Sequence, residues 1–178
     1  MKIIEGDLIA LAKQGHFEVI THGCNCFCTM GAGIAVPMKQ NFKCDVFPME
    51  HPNYKGDINK LGTIDYLPIT LVLEKPIKIG NLNLLAPDFG GFVLTVVNSY
   101  TQYHYGRNHL DGVYKPVDYE AITLCMRKIN NKFKGKSIGL PKIGCGLAGG
   151  DWSIVSKIIT RELIDMDVTV IELNTKRF

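Results

Sequence analysis

Hydrophobic residues along the chain follow two spacings in turn, and this alternation predicts an α/β layered domain. Some runs are short and rich in apolar and β-branched residues, which is typical of strands. Longer segments between them carry apolar residues three and four positions apart, as amphipathic helices do. We expect strands at residues 2–5, 17–21, 61–67, 71–74, 92–98, 137–143 and 168–173.

Four segments are predicted to be helices. Asp7 is a suitable N-cap for the first, which extends to Gln14, and residues 34–42 form the second. The third covers residues 116–133 and places Pro116 in its first turn, where a proline is tolerated. Asp151 can cap the fourth. The buried faces of the last two are expected to hold Ile122, Cys125, Met126, Ile129 and Phe133, and Ile154, Val155, Ile158 and Ile159, respectively.

Length and composition are those of one globular domain, which we expect to span residues 1–178 as a monomer. Hydrophobic residues make up 46% and charged residues 21%, which excludes a disordered chain. The formal net charge of +3 suits an anionic small molecule and does not demand nucleic acid. No apolar run approaches the roughly 20 residues of a membrane helix, and no secretion signal begins the chain. These features predict a cytoplasmic protein without a membrane partner.

Six cysteines occur, and Cys24, Cys26 and Cys28 lie close together in the chain. In a reducing compartment we expect free thiols rather than disulfides. Together with His22 the three could be considered a zinc site. Structural zinc sites favour two to four residues between paired cysteines, and no second pair follows here. We therefore predict no metal.

Two glycine-rich loops are the segments most typical of ligand binding. The first glycine loop, residues 22–35, and the second glycine loop, residues 144–151, each follow a predicted strand and precede a predicted helix. Glycine lets the main chain turn sharply and approach a ligand closely. Successive N–H groups near a helix N-terminus then form a cradle for an anion. Two such loops at the strand ends of one sheet predict a clamp on a diphosphate.

Each loop taken alone is a weaker indication. Gly31 and Gly33 lack the third glycine and the acidic partner of a dinucleotide-binding fingerprint, and neither loop has the Gly-Lys-Ser/Thr of a P-loop. Simple tight turning is the structural alternative for either one. The matched context of the pair favours ligand binding.

The motifs and their order resemble those of the macrodomain family over nearly the whole chain. Gly6-Asp7 follows the first strand, Asn25 precedes Met30-Gly31-Ala32-Gly33-Ile34-Ala35, and Ile143-Gly144-Cys145-Gly146 precedes Asp151-Trp152. The resemblance implies a three-layer α/β/α sandwich around a mixed central sheet. It also implies a cleft for ADP-ribose and its small-molecule derivatives at the strand ends, with no cofactor.

The resemblance assigns binding roles along this cleft. Asp7 would accept a hydrogen bond from the adenine amino group, and Asn25 would contact the distal ribose. The two glycine loops would enclose the diphosphate from opposite sides. The predicted substrate-binding residues are Gly6, Asp7, Leu8, Gly31, Ala32, Gly33, Ile34, Ala35, Gln102, Gly144, Cys145, Gly146, Leu147 and Ala148.

Catalysis is predicted from the same resemblance, at His22, Asn25 and Asp151. The run from His22 to Cys26 is most similar to the branch that removes the terminal phosphate from ADP-ribose 1″-phosphate. A histidine can act as acid or base near neutral pH, and an aspartate can orient a water. Two structural alternatives stay open: His22 is a core histidine bonded to neighbours, and Asp151 is a plain N-cap.

Two other activities compete with the phosphatase. One glycohydrolase branch uses a lysine nucleophile after a central strand and an acid in the second loop, whereas residues 97–103 contain no lysine and Ala148 replaces the acid. Hydrolysis of ADP-ribosylated protein or nucleic acid through bound water stays open, as does a non-catalytic reader. The loop at residues 98–108 has three tyrosines and Arg107, which could cover a ligand, pack on the surface or contact nucleic acid. Small macrodomains occur in phages as well as in cells, so a phage protein acting in host cytoplasm fits equally.

Overall fold

The central feature of the fold is one six-stranded mixed sheet. The computed structural model of the protein describes residues 1–45, 55–72, 77–79, 82–84, 91–105 and 115–173. The strands are β1 (Lys2–Glu5), β2 (Val19–Asn25), β3 (Ile64–Leu71), β4 (Ile77–Ile79), β5 (Leu82–Leu84), β6 (Phe92–Gln102), β7 (Ser137–Leu140) and β8 (Asp167–Glu172). The strand order is β1-β8-β7-β2-β6-β3, with β3 antiparallel to β6 and all other pairs parallel. Strands β4 and β5 pair with each other as a separate hairpin.

Helices cover both faces of this sheet. They are α1 (Leu8–Lys13), α2 (Ala35–Phe42), α3 (Tyr119–Phe133) and α4 (Trp152–Glu162), with a short 3₁₀ turn at Ile58–Lys60. Successive residues of β2 show the division: Val19 packs in the core shared with α3 and α4, and Ile20 packs in the core shared with α1 and α2. The predicted three-layer α/β/α sandwich around a mixed sheet is therefore confirmed. None of these described helices has the length and apolar character needed to span a lipid bilayer.

The five parallel strands all end at the same edge of the sheet, and this edge positions the loops of interest. From β1 to β6 there are four strand intervals, which correspond to about 19 Å at the usual strand spacing. Asp7 follows β1 at one end of this edge, and Gln102 ends β6 at the other. The two glycine loops follow β2 and β7, between those ends.

Helix α3 begins later than predicted because the residues before it are held by the second glycine loop and by β6. The N–H of Val117 donates to Ala148 O at 3.2 Å, and the N–H of Asp118 donates to Thr101 O at 3.1 Å. These bonds keep the chain extended, so Pro116 lies before the helix and not in its first turn. The Asp118 carboxylate caps α3 by accepting from Ala121 N at 2.8 Å.

Several strand and helix boundaries also differ from prediction. Strand β2 continues through four residues assigned to the loop, because pairs such as His22 with Asn98 extend the ladder with β6. Strand β7 stops before Pro141, which has no N–H to donate. In α4, Ile154 is 41% exposed and not on the buried face, which begins with Val155.

Some predicted features lie outside the described residues. The predicted strand at 71–74 coincides with the end of β3 only at Leu71, and its other described residue, Val72, lies beyond the strand. Of the aromatic loop at 98–108, the structure describes residues up to Tyr105 and not Arg107.

Candidate functional site

A cleft of about 990 Å³ runs along the carboxyl edge of the sheet. Both glycine loops line it, together with the turn after β1 and the end of β6. The structure brings all the predicted substrate-binding residues into its lining: Gly6, Asp7, Leu8, Gly31, Ala32, Gly33, Ile34, Ala35, Gln102, Gly144, Cys145, Gly146, Leu147 and Ala148. Their binding roles stay predictions.

The two glycine loops face each other across this cleft. A Cβ placed on Gly33 would lie 3.5 Å from Leu147 Cδ1, and Leu147 is 79% exposed. Gly144 has a φ of +74°, and a Cβ there would come within 3.0 Å of Ile122 Cδ1 and of Val117 Cγ2. Glycine is therefore required at 144, because any side chain would push the second loop off the core.

The second glycine loop lines the cleft and leaves several main-chain N–H groups without an acceptor among the described residues. Internal bonds shape the loop, with Gly149 N donating to Gly146 O at 3.0 Å and Gly150 N to Gly144 O at 2.8 Å. Within the described part of the chain, the N–H groups of Gly146, Leu147 and Ala148 have no hydrogen-bond partner. On the opposite side, α2 starts at the cleft without a side-chain cap. Both features are typical of anion sites.

Asp7 combines capping with a free carboxylate oxygen. Its Oδ1 accepts from Ile9 N at 2.8 Å and from Ala10 N at 3.2 Å. Its Oδ2 makes no hydrogen bond to any residue that the structure describes. One carboxylate can therefore cap α1 and still offer an acceptor to a ligand at the β1 end of the cleft.

Asn25 lines the cleft, but its amide already has partners. Asn25 Nδ2 donates to Thr29 O at 2.9 Å, and Thr29 N donates to Asn25 Oδ1 at 3.2 Å. The side chain thus closes the turn that starts the first glycine loop. One N–H of the amide is left for a ligand.

His22 is not part of the cleft lining. Its ring is fully buried, and its Nε2 lies 2.9 Å from Asn98 Oδ1, while Asn98 Nδ2 donates to Cys44 O at 2.8 Å. Burial lowers the pKa of His22 to about 4, against the smaller opposing effect of the Asn98 hydrogen bond. A role as acid or base therefore has no geometric support, and the ring acts as a neutral core group that joins β2 to β6.

Asp151 also lies outside the cleft lining. It is exposed and caps α4, accepting from Ser153 N at 2.8 Å, and its own N–H donates to the Tyr119 hydroxyl at 2.9 Å. Hydrogen bonds from the side chain and main chain of Ser153 hold the pKa of the Asp151 carboxyl below its ordinary value. Of the three predicted catalytic residues, the structure brings only Asn25 to the cleft.

Charged side chains contribute little net charge to the cleft. Lys142 lines it, but its Nζ lies 2.7 Å from Glu172 Oε1 and 5.3 Å from the centroid of the Trp152 ring. Main-chain N–H groups are thus the better-placed donors for an anion. Two thiols also line the cleft, and burial raises the pKa of Cys24 and of Cys145 above the ordinary value, so both are protonated at neutral pH.

The cysteines do not form a metal site in the described residues. All six have free thiols, and no three His, Cys, Asp or Glu side chains of the described ranges gather closely enough to hold a metal ion.

Gly23 and Thr101 line the cleft, although neither is among the predicted substrate-binding residues. A Cβ on Gly23 would lie 2.8 Å from Thr101 Oγ1, so glycine allows β2 and β6 to approach at the floor. Thr101 Oγ1 is buried without a partner among the described atoms. A prediction of β2 and β6 at their full lengths would have placed both residues near the strand ends that border the cleft.

An aromatic cluster stands at the β6 end of the cleft and consists of Phe27, Tyr103, His104 and Tyr105. Tyr105 lines the cleft and stacks on His104, with ring centroids 4.3 Å apart and 24° between the planes. Gln102 Nε2 donates to His104 O at 2.8 Å, which ties the cluster to the end of the strand.

Several known proteins and solved structures are similar to this chain. No family model matches the chain. An uncharacterised 17.5 kDa protein from the tk-vs intergenic region of Enterobacteria phage T4 is 28% identical over 176 residues, covering 97% of this chain and 96% of that protein. A structure of a protein of unknown function from Bacteroides thetaiotaomicron is 26% identical, with a TM-score of 0.65 and 97% of each chain covered.

Macrodomains of known structure share the fold. The macrodomain of Thermus aquaticus DarG has a TM-score of 0.57 at 19% identity, with 96% of this chain and 97% of that chain covered. The Trypanosoma brucei macrodomain, solved in complex with ADP-ribose, has a TM-score of 0.55 at 14% identity, with 95% and 61% covered. The protein therefore has a macrodomain fold.

Proposed function

We propose that the cleft binds ADP-ribose, with its adenine at the β1 end and its distal ribose at the β6 end. The observation that carries this proposal is the pair of glycine loops facing each other across an open cleft, between a free acceptor on Asp7 and the end of β6. The complex of the Trypanosoma brucei macrodomain with ADP-ribose supports the same ligand class.

Each part of the ligand meets a suitable group in this orientation. The adenine amino group donates to Asp7 Oδ2, which has no described partner. The diphosphate lies between the loops and accepts from the N–H groups of Gly146, Leu147 and Ala148. A hydrogen bond to a charged group contributes about 1.5–3 kcal/mol, so a few of them hold a diphosphate firmly without a cationic side chain.

An Asp7→Asn variant tests the proposal because it separates capping from binding. Asparagine caps a helix as well as aspartate does, so the unfolding temperature should not change. The oxygen that faces the adenine becomes an amide donor, so ADP-ribose affinity should fall at least tenfold in calorimetry. Asp151→Asn is the matched control, since it alters a cap outside the cleft and should change neither quantity. Equal ADP-ribose affinity in both variants would contradict the adenine position.

The finer proposal is that the same cleft removes the terminal phosphate from ADP-ribose 1″-phosphate. The loop N–H groups support it, because they can stabilise charge on phosphoryl oxygens. The buried ring of His22 and the position of Asp151 outside the cleft lining do not support it. Water would therefore have to be the nucleophile. A phosphate-release assay decides: release that survives His22→Gln supports a water-based phosphatase. Tight ADP-ribose binding without phosphate release would indicate a non-catalytic ADP-ribose reader.

Removal of ADP-ribose from a modified protein or nucleic acid is the alternative reaction for this cleft. The end of β6 carries Gln102 and no lysine, so hydrolysis would also rely on bound water. Release of free ADP-ribose from a modified macromolecule is the readout. The monomeric state and the cytoplasmic location stay predictions from the sequence, and gel filtration tests the first.

A further inference from the structure

The lining of the cleft includes an exposed aromatic ring just beyond the end of β6. Tyr105 lies three residues beyond the end of β6, lines the cleft and is 59% exposed. Its hydroxyl-bearing ring is far larger than closing a turn requires. An exposed ring in the lining of a cleft is a surface for stacking.

The ring is held in place from behind. His104 stacks on it at 4.3 Å, and Phe27 packs edge-on against His104 at 4.7 Å and against Tyr103 at 5.4 Å. Such offset and edge-to-face pairs stabilise one another, so the cluster presents Tyr105 as a platform rather than as a loose side chain.

Hydrogen bonds fix the cluster to the sheet and to a neighbouring turn. The Tyr103 hydroxyl donates to Gly56 O at 2.9 Å, and Gly56 N donates to Cys26 O at 2.8 Å. Gly56 has a φ of +76°, and a Cβ there would lie 2.9 Å from Phe27 Cε1. Together with the hydrogen bond from Gln102 Nε2 to His104 O, these contacts fix the position of the aromatic cluster relative to the end of β6.

Charge at the β6 end of the cleft does not favour an anionic group. The charged residues among the described lining are Asp7, Lys142 and Glu172; the first two follow β1 and β7, and the third ends β8. Those strands lie together on one side of the sheet, away from β6. The described cation of the lining therefore lies away from Tyr105, and the group that this end of the cleft offers to a ligand is the aromatic ring of Tyr105.

We propose that Tyr105 forms a stacking subsite for a planar heteroaromatic ring bonded to C1″ of the distal ribose. This inference rests on the proposed binding of ADP-ribose, and it names a substituent that competes with the phosphate of the phosphatase proposal. The substrate class is then an ADP-ribosyl conjugate of a flat nitrogen heterocycle, whose ring lies on Tyr105 while the ADP-ribose fills the cleft.

Calorimetry with three ligands tests this subsite: ADP-ribose, ADP-ribose 1″-phosphate, and NAD⁺, which carries nicotinamide at C1″. Stacking on an aromatic side chain contributes enough that Tyr105→Leu should weaken NAD⁺ binding about tenfold, equivalent to about 1.4 kcal/mol. Affinity for the other two ligands should change less than twofold. Tyr105→Phe keeps the ring and should keep NAD⁺ affinity.

The control is Tyr66→Leu, which removes an exposed tyrosine from β3, outside the cleft lining, and should alter no affinity. An equal loss for all three ligands in Tyr105→Leu would overturn the subsite, as would wild-type protein that binds ADP-ribose but not NAD⁺. Failure to bind ADP-ribose at all would instead overturn the proposed function.

Discussion

Lowering the pH from neutral to about 5 should destabilise the protein through His22, because its buried ring resists protonation. Burial lowers the pKa of the folded-state ring from 6.5 to about 4. Between these values the unfolded chain binds a proton that the folded protein does not. Stability is therefore fully present above pH 6.5 and is lost as the pH falls towards 4.

The size of the effect follows from the two pKa values. At pH 5 the unfolded ring is almost fully protonated and the folded ring is about one-tenth protonated, which costs about 2 kcal/mol. The loss approaches about 3 kcal/mol below pH 4. For a chain of this length, 2 kcal/mol corresponds to a decrease of about 5 °C in the melting temperature.

Urea unfolding of wild type and His22→Gln, measured from pH 8 to pH 4.5, isolates this contribution. The variant has an amide that does not titrate, so the difference in unfolding free energy between the two proteins should shrink by about 2 kcal/mol between pH 7.5 and pH 5. ADP-ribose affinity at pH 7.5 should change less than about twofold, because the ring is outside the cleft. Parallel pH profiles of unfolding free energy for the two proteins would refute a buried neutral ring at His22. A large loss of ADP-ribose affinity in His22→Gln would show that His22 contributes to ligand binding.

Three further outcomes are expected. Gly144→Ala should cost at least 1–2 kcal/mol in urea unfolding and also weaken ADP-ribose binding, because the residue has a positive φ and touches Ile122; unchanged binding would show that the second loop is dispensable. Asp151→Ala should lower the melting temperature by removing the α4 cap, while ADP-ribose affinity stays constant; an affinity loss would place the carboxylate at the ligand. Raising NaCl from about 50 to about 500 mM should weaken ADP-ribose binding less than about threefold, because Lys142 is paired with Glu172; a tenfold loss would indicate that cations hold the ligand.

The glycine loops and helix caps could be predicted from the sequence because their causes are local. A positive φ at Gly33 or Gly144 favours glycine whatever the path of the rest of the chain. Likewise, Asp7 and Asp151 cap the helices that follow them through bonds spanning only two or three residues. The parallel order of the strands then brings the predicted binding residues to one edge of the sheet.

The positions of the predicted catalytic residues could not be foreseen in the same way, because the face of a strand on which a residue lies depends on partners far along the chain. His22 points into the core since β2 pairs with β6 in a register that sets it opposite Asn98. A shift of one residue would have turned it to the other face. The start of α3 depends on similar distant contacts, through the bonds of Val117 and Asp118 to other loops and strands.

Tyr105 lies in a segment rich in tyrosine, and the exposure of its ring could not be predicted from the sequence. The sequence shows tyrosines and a histidine in a row and cannot say which ring packs and which is exposed. Phe27 and Gly56, which support the cluster, lie 78 and 49 residues earlier in the chain. Only the folded structure shows that they form one platform with His104.

A crystal structure grown with ADP-ribose tests the central claim most directly. We predict an adenine amino group within hydrogen-bond distance of Asp7 and phosphate oxygens about 2.7–3.2 Å from the N–H groups of Gly146, Leu147 and Ala148. A ligand bound elsewhere on the surface, or a cleft that stays empty at millimolar ADP-ribose, would contradict it.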